Sequence, residues 1–143
     1  MAITFTAYNS YKKALFDKSI DHTNDTLKVA LTTSSYTPNI DTHDNFDDIT
    51  NEVTGTGYTA GGFTLAGKFT QVDTTDNEGV FDANDLTNTT TTISNARYAI
   101  LYKDTGVAST SLLIGYWDLE QNYSSIGGDF SFNWNAEGIL NIN

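Results

Sequence analysis

The pattern of apolar and polar positions changes from a helical to a strand-like period near residue 20. The apolar positions at helical spacing are Tyr8, Tyr11, Leu15 and Phe16. They predict a short helix over residues 6–18, capped by Asn9 or Thr6. We expect either that this helix packs on its own domain or that residues 1–20 form an N-terminal helical arm that docks on a neighbouring subunit.

Strict alternation follows in residues 26–32, where Leu27, Val29 and Leu31 share one face. Further strands are predicted at residues 63–70, 80–82, 89–102, 112–119, 129–135 and 138–142, with turns at residues 73–79, 104–106 and 127–128. About seven or eight strands predict a single all-β domain over residues 1–143. Its architecture is expected to be an antiparallel β-sandwich or a jelly-roll-like barrel with a short N-terminal helix.

A long irregular segment, residues 34–62, separates the first predicted strand from the others. It contains Pro38, a group of aspartates, and glycines on both sides of Tyr58. A loop this long usually has a function or lies against a partner. The glycines do not match the spacing of a phosphate-binding loop, so they are interpreted as turns around Tyr58.

Composition and charge narrow the class of protein. The chain has 143 residues, with 7 Lys+Arg against 18 Asp+Glu, a formal net charge of −11 and no cysteine. Disulfides and thiolate metal sites are thereby excluded, and the scarcity of cations argues against a nucleic-acid partner. No apolar run approaches the roughly 20 residues of a membrane span, so no membrane contact is expected.

Candidate chemistry is sparse. His22 and His43 lie in polar segments and are expected to be solvated. Four loop carboxylates, those of Asp41, Asp44, Asp47 and Asp48, are of the type that binds Ca²⁺, but their spacing departs from the calcium-loop pattern. Turns and helix capping explain these aspartates better, so no cofactor or metal is predicted, and a non-enzymatic protein is expected.

Several blocks of sequence, in fixed order from about residue 12 onward, resemble small virion structural proteins of tailed bacteriophages, the group of capsid decoration and head-associated proteins. They include KVALTTSSYTPN at residues 28–39, GTGYTAGG at 55–62, ARYAILYKDTG at 96–106, LIGY at 113–116 and NAEGI at 135–139. The resemblance implies a virion component without catalysis. No binding residues of that group carry over to this chain.

The resemblance implies a protein that is made in the bacterial host cytoplasm and located in the virion, where it binds the major capsid protein or other virion proteins. We expect a capsid decoration protein on the outer head surface that forms a homo-oligomer, with a trimer favoured. The alternative is a tail- or head-fibre-associated component that contacts a host receptor, in which aromatic residues such as Tyr58, Trp117 or Tyr123 stack on sugars. The candidate partner-binding residues are Tyr8, Tyr11, Tyr36, Asp44 and Tyr58.

Overall fold

A computed structural model describes residues 3–143. The strands are β1 (Phe5–Ala7), β2 (Leu27–Thr32), β3 (Gly55–Thr56), β4 (Phe63–Thr64), β5 (Phe69–Asp73), β6 (Glu78–Asp82), β7 (Leu86–Lys103), β8 (Leu113–Phe132) and β9 (Leu140–Ile142). Within residues 3–143, one α-helix, α1 (Asn9–Asp17), and two short 3₁₀ helices, Phe46–Asp48 and Ala108–Thr110, complete the elements. The prediction of a mostly β, antiparallel fold with one helix is confirmed.

The strands of the described part of the chain form two antiparallel sheets. The larger has the order β1-β8-β7-β2-β4, with β3 also paired to β7, and the smaller has the order β5-β6-β9. A core made of residues from both sheets, such as Leu27 and Phe81, contains the alternating positions of β2 that the sequence analysis placed on one face. Within residues 3–143, no helix is long and apolar enough to cross a membrane.

The other face of the large sheet is also buried. Ala30 of β2 and Ile100 of β7 form a second core with Tyr36, and Phe46 packs against its edge. Tyr36 and Phe46 belong to the long segment between β2 and β4, so this segment covers the sheet of its own chain. Because β2 is buried on both faces, Ala30 is as inaccessible to solvent as its neighbours.

The strands β7 and β8 form one long hairpin that bends. Several register shifts interrupt their pairing between Asn88 and Tyr102, and positive φ angles occur at Thr90, Asn95 and Glu120. Bulges of this kind kink a strand and increase its twist. The predicted turn at residues 127–128 is therefore wrong, because Gly127 is a positive-φ position inside β8.

Two other boundaries differ from the predictions. The helix is shorter than predicted, since residues 5–7 form β1, paired with β8. Neither Asn9 nor Thr6 caps it; Tyr8 occupies the N-cap position without a side-chain hydrogen bond to the helix. The predicted strand at residues 63–70 is divided between β4 and β5, which lie in different sheets.

Candidate functional site

The predicted partner residues Tyr8 and Tyr36 are buried and join the helix N-terminus to the long loop. Their hydroxyl groups lie 2.9 Å apart, and the Tyr36 hydroxyl also lies 2.8 Å from His43 Nδ1. Burial raises the pKa of Tyr36 to about 12 and raises that of Tyr8 further. His43 is half-buried and stacks on Tyr36, in contrast to the solvated position expected from the sequence.

Tyr58 is a buried anchor for the glycine-rich turn. Its hydroxyl group donates to Glu52 Oε1 at 2.6 Å and accepts a hydrogen bond from the Leu31 backbone N–H at 2.9 Å. The same Glu52 oxygen accepts from the Gly61 N–H at 2.6 Å. Burial is the main cause that raises the pKa of Tyr58. The interpretation of the glycines as turns around Tyr58 agrees with this geometry, and Tyr58 is not an exposed sugar-stacking ring.

Tyr11 is the fourth buried tyrosine of the predicted set. Its hydroxyl group lies 2.7 Å from Nε2 of His22, and the His22 ring also contacts Phe81 with centroids 5.1 Å apart. Burial raises the pKa of Tyr11 to about 12 and lowers that of His22. His22 is therefore half-buried rather than solvated, and it links α1 to the small sheet.

Asp44, the remaining predicted partner residue, is exposed. The loop aspartates around it form turns and caps: Asp48 accepts from the backbone N–H groups of Asp44 and Asn45 at 2.8 and 3.3 Å, and it completes a capping box for the first 3₁₀ helix. Asp41 accepts from the side chain of Asn9 at 2.6 Å. The Asp48 contacts are a turn and a cap of the kind predicted for these aspartates.

A different group of carboxylates converges among the described residues. Its members are Asp73, Asp76, Glu78 and Glu137, whose oxygens lie within 4.8 Å of one another. Asp73 already accepts from the N–H groups of Thr75 and Asp76 at 2.8 and 3.3 Å, and Glu78 accepts from Asn141. Hard cations prefer such oxygens. No sequence signal joins Glu137 to the hairpin turn, because only the return of the chain toward β9 brings it there.

Four aromatic rings line a groove where β1, β8 and the segment before β9 meet. We call it the aromatic groove; it encloses about 480 Å³. Its rings belong to Phe5, Trp117, Phe132 and Trp134. The Trp134 ring lies 5.3 Å from that of Trp117 and 5.8 Å from that of Phe132, between centroids. In a straight strand, Trp117 and Phe132 would be roughly 50 Å apart, so the bend of β8 builds this site.

Polar groups hold and border these rings. The Trp134 indole N–H donates to the Asn84 carbonyl oxygen at 2.9 Å, and its backbone N–H donates to Asp85 Oδ1 at 2.8 Å. Asn133 and Glu137 lie at the rim and are exposed. The sequence pointed to Trp117 but not to its partners, because alternation in residues 130–134 predicts one face of a strand and not which rings reach solvent.

Of the rings that the sequence analysis offered for stacking on sugars, Trp117 alone lies in the aromatic groove. Tyr123 is exposed outside it, and Tyr58 is buried. Comparisons with family models, with curated proteins and with solved structures found no match. The resemblance to virion structural proteins therefore stays a prediction.

Proposed function

We propose that this protein is a non-enzymatic structural protein of a tailed-bacteriophage virion and acts as a capsid decoration protein on the outer head surface. One observation supports this role: an exposed apolar row on the small sheet. Val72, Gly79 and Ile142 are direct cross-strand neighbours on β5, β6 and β9. Val72 and Ile142 are 80% and 60% exposed.

The row lies on the side of the small sheet that faces the core. Side chains two residues apart on a strand share a face, so position 79 lies on the same face of β6 as the buried Phe81. The sheet therefore extends beyond the core and leaves apolar side chains at its end without cover from the described residues. Exposed apolar surface of this kind favours protein–protein contact.

The proposed partners are the major capsid protein or other virion proteins, together with further copies of this chain, a trimer being favoured. The net charge of −11 keeps free copies soluble before assembly. On a shell, many weak contacts add avidity. The proposed location is the virion, after synthesis in the host cytoplasm. For the fold itself, we propose that the two sheets pack as a β-sandwich, with a jelly-roll-like barrel as the alternative.

Gly79 offers a sharp test of this surface. A Cβ at this position would have only the Ile142 carbonyl oxygen, 4.0 Å away, within contact range. Gly79→Asp therefore adds a charge to the apolar row at a position that has room for a Cβ. We expect light scattering after size exclusion to show a trimer for the wild type and monomers for Gly79→Asp. Ile126→Asp is the matched control, since Ile126 is exposed on β8, and it should leave the trimer unchanged.

Electron microscopy of the source virion with an antibody to this protein tests the location. Labelling over the head is expected. A wild-type chain that stays monomeric at micromolar concentration, together with absence of label from the head, would contradict the decoration role.

The second candidate is a tail- or head-fibre-associated component that contacts a host receptor. The aromatic groove favours it, because partly exposed rings with a polar rim suit a ligand outside the virion. Label over fibres or the tail, with binding of the purified protein to host cells, would select this function over decoration.

A further inference from the structure

We propose that the aromatic groove is a binding site for a neutral, pyranose-containing glycan. The first argument is the shape of its apolar side. Phe5, Trp117, Phe132 and Trp134 each pack against the core and also line the groove. All four rings are partly exposed, and the exposed parts of aromatic rings can pack against the C–H groups of a pyranose without a deep pocket.

The polar residues of the aromatic groove also suit a sugar. Asn133, Asn135, Glu137 and Asn141 also line the groove. Amides supply both donors and acceptors, and a carboxylate supplies acceptors, which together fit the hydroxyl groups of a sugar. A ligand with many hydroxyl groups can satisfy these side chains, whereas a purely apolar ligand would leave them desolvated.

The third argument is charge. The lining residues, all within the described residues 3–143, include Glu137 and no lysine or arginine. Phosphate, sulfate and carboxylate ligands are recognised by such cations. In a protein with a net charge of −11, this groove therefore selects against sialylated or sulfated glycans and favours neutral ones.

The fourth argument is preorganisation. Trp134 is fixed by the two hydrogen bonds to Asn84 and Asp85, and Trp117 lies on β8 with Phe5 paired beside it in β1. The rings therefore lose little conformational freedom when a ligand binds. This inference is independent of the proposed virion role, since a glycan site could serve a decoration protein or a fibre component.

The test uses the full chain and its tryptophan fluorescence. Maltotriose, mannotriose, lactose and N,N′,N″-triacetylchitotriose are titrated to 10 mM, beside sialyllactose, a sulfated disaccharide and a proline-rich peptide. At least one neutral sugar is expected to change the emission with saturation. Binding of none of the neutral sugars, or tighter binding of a charged sugar or of the peptide, overturns the proposal.

Two groups of variants locate the site by calorimetric titration. Trp134→Ala should weaken binding of the neutral sugar at least tenfold. Because that change could also disturb packing, Asn133→Ala and Glu137→Gln, at exposed rim positions, provide the second measurement and should each weaken binding severalfold with unchanged circular dichroism. Phe16→Ala, at an exposed aromatic residue of α1, should bind as the wild type does. If both rim variants bound the neutral sugar with wild-type affinity, the groove would not be the binding site.

Discussion

The hydroxyl group of Tyr58 accepts a hydrogen bond from the Leu31 backbone N–H across 2.9 Å. This bond connects the glycine-rich turn to β2. Tyr58→Phe keeps the ring but removes the acceptor, and it also removes the donor to Glu52. A buried group without its partner costs about 1–3 kcal/mol, and we expect the free energy of unfolding in urea to fall by that amount.

Tyr123→Phe is the control for that measurement, because Tyr123 is exposed on β8. It should change stability by less than about 0.5 kcal/mol. Equal effects of the two substitutions would mean that the Tyr58 hydroxyl group does not stabilise the turn.

Gly62 and Gly106 form a second matched pair. Both have left-handed φ angles, 88° and 84°. A Cβ at Gly62 would lie 2.0 Å from the Val29 carbonyl oxygen, whereas a Cβ at Gly106 would meet nothing within 4 Å. Replacement by alanine should cost about 1–2 kcal/mol at Gly106 from backbone strain alone. It should cost clearly more at Gly62, because backbone must also move, and thermal unfolding of both variants measures the difference.

Alkaline pH should destabilise the protein. Burial raises the pKa of Tyr11 and Tyr36 to about 12 and raises those of Tyr8, Tyr58 and Tyr102 as well. In the unfolded chain these hydroxyl groups ionise near pH 10. The contribution of Tyr11 and Tyr36 to stability is therefore complete below pH 10 and is lost as the pH rises through 12.

Urea midpoints measured between pH 8 and pH 12 at constant ionic strength test this dependence. Above pH 10, the urea midpoint of Tyr36→Phe should fall less steeply with pH than that of the wild type. The variant lacks one of the tyrosines whose pKa burial raises. A variant curve parallel to that of the wild type would argue against a contribution from Tyr36. The lysines titrate in both proteins, so their effect on the urea midpoint cancels when the two slopes against pH are compared.

The helix α1 gives a fourth prediction. Tyr11 is buried and its hydroxyl group is hydrogen-bonded to His22, whereas Phe16 is 91% exposed. Tyr11→Ala should lower the free energy of unfolding by about 3–5 kcal/mol, as expected for a large buried ring. Phe16→Ala should change it by less than about 0.5 kcal/mol. Chemical denaturation of the two variants side by side measures both values, and a large effect at Phe16 would contradict this orientation of the helix.

The same helix shows what the sequence could predict. The helical period at residues 8–16 correctly indicates a helix, and Tyr11 lies on its buried side. Leu15 and Phe16 share that period but are exposed, because the sheet contacts only the side of α1 that carries Tyr11 and Ala14. Periodicity shows which residues share a face, whereas the width of the buried stripe depends on the neighbouring element.

The strands show a related limit. Alternation placed Leu27, Val29 and Leu31 together correctly, and the hairpin of β5 and β6 lies where the turn at residues 73–79 predicts it. The sequence predicts a turn at Gly127, but Gly127 lies in β8. A turn and a bulge both use a glycine with positive φ, so local sequence does not separate them. The aromatic groove depends on this bend and was therefore not predictable as a site.

The bend of β8 also has a consequence for the order of folding. The walls of the aromatic groove come from residues 3–5, 117–119 and 132–141, which are brought together only after the long hairpin has formed and closed on β1. Contacts of large sequence separation form late because loop closure costs entropy first. The groove therefore exists only when these distant segments have met, and the emission of Trp117 and Trp134 should report complete folding of the chain.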